Sequence, residues 1–208
     1  MSIIQLTRNI VTALISVFAV IAISGNAIAD GNATTADWSK LSEKKQNKLG
    51  LYMTTEQAYQ HTVNNMDKTL FLDIRTPSEL NYLGAATVMD AHVPFVFMDT
   101  TGWDDKKHRY LRADNKNFVA DVEARLKKKG LSKDDTVILM CRSGKRSATA
   151  VNMLADAGFT MAYSVVDGYE GDKAREGENK GKRTVNGWKN SGLPWTYSLD
   201  KDLMYITR

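Results

Sequence analysis

The stretch Thr136-Val137-Ile138-Leu139-Met140 constrains this chain more than any other. It is short, rich in β-branched residues and free of charge, with Asp135 before it and a polar loop after it. A run that is apolar at successive positions suits a strand covered on both faces, as in the interior of a parallel sheet. Five polar or small residues follow it as a tight loop. Residues 147–157 then read as an Ala-rich helix, with Gly158 as its stop. The same alternation recurs elsewhere. Leu70-Phe71-Leu72-Asp73-Ile74 is a second buried-strand run, and Pro77 after it suits the first turn of a helix. Thr54-Thr55-Glu56 resembles a helix start, and residues 117–129 carry Phe118, Val122 and Leu126 at four-residue spacing, with Gly130 closing the segment. Residues 163–166 make another strand, closed by Asp167-Gly168. Strands alternating with helices predict an α/β chain built of βαβ units, a parallel sheet with helices on both faces.

Three segments stand apart from this pattern. Residues 37–48 are charged and predict a short surface helix with Trp38 and Leu41 as a weak apolar stripe. Residues 95–112 are aromatic and charged, and predict a long loop or irregular excursion in which Trp103 and Tyr110 either line a pocket or simply pack. Residues 172–184 are poor in apolar side chains and predict an exposed loop.

The first 29 residues are set aside as an export signal. Arg8 supplies a short positive region, residues 10–24 are apolar, and Ala27 and Ala29 fit a signal-peptidase site, with cleavage before Asp30. The apolar run is short for a membrane span, so the expectation is a periplasmic protein with no stable span after cleavage. Residues 30–50 then form a partly helical extension, and residues 51–208 one domain. Removing the signal takes away one arginine and no acid, so the net charge falls from +4 to +3. A mixed, mildly basic balance does not argue for nucleic acid. It suits a small anionic substrate where the cations gather.

Export makes the cysteine count informative. Cys141 is the only cysteine of the sequence, so it has no internal disulfide partner and reads as a free thiol. It stands where the strand of residues 136–140 ends, in Cys141-Arg142-Ser143-Gly144-Lys145-Arg146-Ser147. In open parallel sheets, ligands bind outside the carboxyl ends of the strands. Gly144 lets the backbone curl so that successive amides turn inward as a nest, and the following helix points its positive end the same way. Arg142, Lys145 and Arg146 add charge. Such surroundings favour a thiolate, and the same amides stabilise the terminal sulfur of a persulfide. These residues predict a shallow, open anion pocket with Cys141 as nucleophile and Arg142, Ser143, Gly144, Lys145, Arg146 and Ser147 as substrate-binding residues. Cysteine phosphatases place their arginine six positions after the nucleophile. That position is Ser147 here, with Arg146 one residue sooner, so the loop is short for a tetrahedral phosphate.

The chain resembles the rhodanese-like sulfurtransferase domain. The loop at Cys141 matches that family's active-site loop. Leu72-Asp73-Ile74-Arg75-Thr76-Pro77-Ser78-Glu79 is similar to its early Asp-x-Arg segment. Val166-Asp167-Gly168-Tyr169 and Gly187-Trp188-Lys189-Asn190-Ser191-Gly192-Leu193-Pro194 resemble its closing turn and its Trp…Gly-x-Pro ending. The resemblance covers residues 51–197. It implies a five-stranded parallel sheet flanked by helices, and transfer of sulfane sulfur from thiosulfate or a persulfide through Cys141 to a thiol, a protein or cyanide. It implies no cofactor.

The chain departs from the family pattern at residues 84–94, where Gly84 and His92-Val93-Pro94 are widely separated, and in the insertions near 85–112 and 172–184. The second insertion follows the carboxyl end of a strand, so its expected place is the rim of the site. Asp73 and Arg75 are expected to form a structural ion pair supporting the loop, Glu79 to play a similar part, and His92 to be structural. The three histidines share no metal-binding spacing, and one cysteine builds no thiolate metal site. A second functional reading stays open: a non-catalytic sulfur carrier or partner-binding module on the same fold.

Overall fold

A computed structural model describes residues 38–206. The expected export signal and cleavage site lie outside the described residues. Five strands form one parallel sheet: β1 (Tyr52–Met53), β2 (Thr69–Asp73), β4 (Ala91–His92), β7 (Thr136–Met140) and β8 (Ala162–Val165), in the order β1-β8-β7-β2-β4. Among the described residues four α-helices complete the frame: α1 (Thr55–Asn64), α2 (Pro77–Leu83), α3 (Phe118–Lys128) and α4 (Lys145–Asp156).

The strand sequences explain how the two faces are filled. Successive side chains of a strand point to opposite faces. Leu70, Leu72, Val137 and Leu139 pack with Phe118, Val122 and Leu126 of α3 and Ala150, Val151 and Leu154 of α4. Phe71, Ile138 and Met140 pack on the other side with Ala58 of α1, Leu80 of α2, Tyr169 and Trp188. Helices therefore cover both faces, as the alternation predicts. The helix starts are local sequence effects. Thr54 and Thr76 cap α1 and α2 in reciprocal capping boxes with Gln57 and Glu79, and Pro77 sits in the first turn of α2.

Strands β2 and β7 lie side by side over five register pairs, ending at Asp73 opposite Met140. From those neighbouring ends the chain departs in opposite directions, β2 toward α2 on one face and β7 toward α4 on the other. That divergence opens a crevice at the carboxyl edge of the sheet, the place where α/β sheets bind ligands. Cys141 is the first residue past β7.

Three expectations need correction. Residues 95–112 are not an irregular excursion: they contain an antiparallel hairpin of β5 (Val96–Asp104) and β6 (Arg109–Asp114), with a register shift between Asp99 and Trp103. In place of the surface helix expected over 37–48, the described residues 38–48 form two short 3-10 turns, Trp38–Lys40 and Glu43–Lys45, because so few apolar positions cannot hold a longer helix on the domain. Helix α4 begins at Lys145, two residues before the expected start, since Gly144 caps it in the left-handed conformation at φ 83°. Residues 172–184 are an exposed loop, as expected, closed by bridges Lys173 to Arg183 and Ala174 to Lys180.

The segment after the loop folds back over the sheet. Trp188 is fully buried, stacked on Phe71 at 5.5 Å between ring centroids and edge-on to Tyr59 at 5.9 Å. Its indole N–H donates to the Pro194 carbonyl at 2.9 Å. Strand β9 (Trp195–Thr196) then pairs with β3 (Ala85–Ala86). Truncating a buried aromatic of this kind costs about 3–5 kcal/mol. Trp188→Ala should therefore lower the urea unfolding free energy by that amount; a loss below about 1 kcal/mol would mean that the segment adds little to the core.

Candidate active site

Cys141 sits at the end of β7 and is only 1% exposed. Its Sγ accepts a hydrogen bond from the Ser147 amide at 3.4 Å, and its thiol lies 3.6 Å from Ser147 Oγ. Ser147 is itself fully buried. Its hydroxyl donates to the Gly144 carbonyl at 3.0 Å and shares a 2.8 Å contact with Ser164 Oγ. The expectation of a shallow, open pocket is thus corrected at the sulfur. Strand β8 and the start of α4 enclose the thiol.

The loop around it is shaped by two glycines. A Cβ on Gly144 would meet the Val166 carbonyl oxygen at 2.1 Å, and one on Gly168 (φ 68°) would meet the Ser143 nitrogen at 2.4 Å. Only glycine permits these left-handed turns at such close approach. The turn after β8 then lies against the loop: Tyr169 N donates to Cys141 O at 2.8 Å, and Glu170 N to Arg142 O at 3.0 Å. Carbonyls of the loop are thereby occupied from outside. The backbone amides of Arg142, Ser143, Gly144, Lys145 and Arg146 have no acceptor among the described residues. Successive N–H groups of this kind at a helix start are a donor set suited to an anion.

The charged residues divide into two groups. Arg146 does not stand free in the loop. It forms a two-pronged bridge to Glu79, Nη1 to Oε2 at 2.8 Å and Nη2 to Oε1 at 2.6 Å, with both side chains largely buried. Glu79 also accepts from the Thr76 amide and hydroxyl, which fixes it at the start of α2. Burial opposes ionisation of Glu79, yet the Arg146 hydrogen bonds and charge, the Thr76 amide and the charge of Arg142 together lower its pKa from 4.5 to about 2. Burial acts likewise against the Arg146 cation, but the Glu79 bond and the negative charges of Cys141, Glu79 and Asp73 raise its pKa. Glu79 therefore holds the Arg146 guanidinium in place beside the cysteine loop.

Asp73 and Arg75 form the structural pair expected of them. Both are fully buried, with Arg75 Nη2 donating to Asp73 Oδ2 at 2.6 Å and to the Gly84 carbonyl at 2.7 Å. The guanidinium lies 3.7 Å over the Tyr169 ring, so the pair also supports the turn that presses on the cysteine loop. His92 is structural, its Nε2 2.8 Å from the Arg75 carbonyl. Burial lowers its pKa and keeps it neutral. Among the described residues no group of three His, Cys, Asp or Glu side chains could hold a metal ion.

Arg142 and Lys145 flank the loop on opposite sides. Arg142 is half-buried, 4.0 Å from Glu170, and lines a cleft under the β5–β6 hairpin. Lys145 is exposed and borders a second cleft with Lys44, Lys173 and Arg175. The loop of residues 172–184 therefore lies beside the site, as expected. Burial and then the charge of Arg142 lower the pKa of Arg183 within it. Ser164 and Arg112 were not legible as site residues, because each reaches the site through strand pairing rather than through a local motif.

The rhodanese-like domain family matches residues 54–175. An uncharacterized protein of Rickettsia prowazekii (strain Madrid E) is 35% identical over 83 residues, 40% of this chain, which spans 57% of that relative's length. Thiosulfate sulfurtransferase 16, chloroplastic, of Arabidopsis thaliana is 27% identical over 124 residues, covering 60% of this chain and 77% of that protein. Among solved structures, the crystal structure of Rv0390 from M. tuberculosis is 28% identical, covers 70% of this chain and 96% of its own, and gives a TM-score of 0.54.

The Glu79–Arg146 bridge has a pH signature. A carboxylate whose folded pKa is depressed contributes stability above its unfolded pKa and loses it as pH falls toward the folded value. The stability difference between the wild type and Glu79→Gln should shrink by about 3 kcal/mol between pH 4.5 and pH 2. Glu79→Gln should also be the less stable protein at pH 7, where Arg146 loses its partner. Urea midpoints across that range measure this, and parallel curves for the two proteins would contradict it.

Proposed function

This chain belongs to the rhodanese-like domain family, and we propose that it is a sulfurtransferase in which Cys141 carries sulfane sulfur as a persulfide. The observation that carries the reading is the run of five unpaired amides, Arg142 to Arg146, at the loop that begins with a buried thiol. An anion held there is stabilised without the need to reorganise solvent.

The first half-reaction starts from the Cys141 thiolate. It attacks the outer sulfur of thiosulfate; the new S–S bond forms as the bond to the sulfonate sulfur breaks, and sulfite leaves with the electron pair. The persulfide anion is left on Cys141, the residue that precedes the run of unpaired amides. In the second half-reaction an acceptor thiolate or cyanide attacks the outer sulfur and the Cys141 thiolate leaves. No redox partner is required. The near-complete burial of Cys141 means that the donor must displace neighbouring groups to reach Sγ, and that the persulfide is shielded from bulk water between steps.

Phosphate chemistry fits less well. Arg146 is engaged by Glu79, and the position that phosphatases give to arginine is Ser147, which faces Ser164 and the Gly144 carbonyl. One observation favours a second reading. A thiol only 1% exposed also suits a non-catalytic module whose loop serves recognition.

Steady-state transfer of sulfur from thiosulfate to cyanide separates these readings. Cys141→Ser should lower kcat/KM by at least roughly a thousandfold, the scale of removing a nucleophile, while circular dichroism stays unchanged. Comparable rates in wild type and variant would remove Cys141 from the mechanism. Folded wild type inactive toward thiosulfate and persulfide donors alike would favour the binding module.

A further inference from the structure

Tyr82, Met98, Trp103, Tyr110 and Leu111 are all large, apolar or aromatic, and between 40% and 77% exposed. Single exposed hydrophobics are ordinary, but these five converge on one cleft of about 560 Å³ between α2 and the β5–β6 hairpin. Trp103 and Tyr110 meet edge to face at 5.5 Å, which gives the cleft a preformed aromatic wall.

The polar wall is cationic. Arg109, Arg112 and Arg142 line it against one carboxylate, Glu79, which is already bound to Arg146. Arg112 forms no salt bridge among the described residues. Burial, together with the charges of Arg146 and Arg109, pushes its pKa down to about 10; Glu79 opposes this and Arg142 adds to it. Arg109 is 4.0 Å from Asp104, and its buried Nε finds no hydrogen-bond acceptor. Like charges gathered in this way favour an anion beside them. Arg142 joins the cleft to the cysteine loop, being the residue next to Cys141.

Thiosulfate and cyanide are too small to fill such a space, whose size and lining suit an organic ligand. We propose that the cleft binds the organic half of the sulfur acceptor, a small thiol with an apolar, ring-sized body and a carboxylate, with Arg112 on the carboxylate and Trp103 and Tyr110 on the body. The proposal rests on the sulfurtransferase reading. In the transfer step the thiolate RS⁻ attacks the outer sulfur of the Cys141 persulfide; RSS⁻ forms and the Cys141 thiolate leaves. The same site would take RSS⁻ as donor in the reverse direction.

Three acceptors test this, with KM expressed per thiolate to remove differences in thiol acidity: para-(mercaptomethyl)benzoate, benzyl mercaptan, which lacks the carboxylate, and 3-mercaptopropionate, which lacks the ring. With persulfide-loaded wild type, KM for the first should be at least about tenfold below that for either of the others, the scale of one charge-assisted hydrogen bond. Arg112→Gln should erase the advantage over benzyl mercaptan and Arg112→Lys should restore part of it. Trp103→Ala should erase the advantage over mercaptopropionate. Calorimetric binding of para-toluate gives a readout independent of turnover. Arg112-dependent binding of para-toluate by a protein that accepts no sulfur would sink the sulfurtransferase reading and leave the cleft as an organic-acid site. Active sulfur transfer to cyanide, with equal KM values for the three thiols and no para-toluate binding, would overturn the cleft proposal alone.

Discussion

Two backbone hydrogen bonds determine what the cysteine loop can do. Tyr169 N to Cys141 O and Glu170 N to Arg142 O occupy the loop carbonyls from the side of the Gly168 turn. The amides of Arg142 to Arg146 that follow have no acceptor among the described residues. Unpaired N–H groups at a helix start are donors for which an anion is a suitable partner. The sheet topology supplies the location, since β2 and β7 end together and their connections diverge. The glycines supply the fit. A side chain at Gly144 or Gly168 would collide with backbone and push loop and turn apart.

Charge is arranged in two shells around this loop. Asp73 and Arg75 neutralise each other within the protein and brace the Tyr169 turn. Buried pairs of this kind are poor sources of net stability, but removing one partner strands the other. The Glu79–Arg146 bridge lies nearer the thiol. It ties α2 to α4 across the crevice, so the two connections that diverge from the sheet are rejoined above it. The Arg146 guanidinium is thus held by Glu79 rather than standing free over the loop.

Much of this was legible from the sequence, for a physical reason. Strand β7, the loop and α4 are contiguous, so the motif and the geometry coincide. Thr54, Thr76 and Pro77 mark helix starts by local hydrogen bonding and a fixed φ. The β5–β6 hairpin left no such trace. Its strands are exposed at many positions, and the register shift between Asp99 and Trp103 breaks the alternation that would reveal them. The pairing of Glu79 with Arg146 spans 67 residues of chain and depends on the crevice being closed. The burial of Cys141 was hidden likewise, because the enclosing groups come from β8 and α4 rather than from the loop. Arg112 reads in sequence as one more surface cation. Only the hairpin brings it to Arg142.

The proposed function requires that Cys141 carry sulfur as a persulfide. Intact-mass measurement of the folded protein after exposure to thiosulfate tests it most directly. Sulfur transfer through Cys141 predicts a gain of one sulfur atom, mapped to the peptide containing Cys141, absent from Cys141→Ser and discharged by cyanide. An unchanged mass after exposure to thiosulfate and to a small-molecule persulfide, or an adduct that persists in Cys141→Ser, would contradict it.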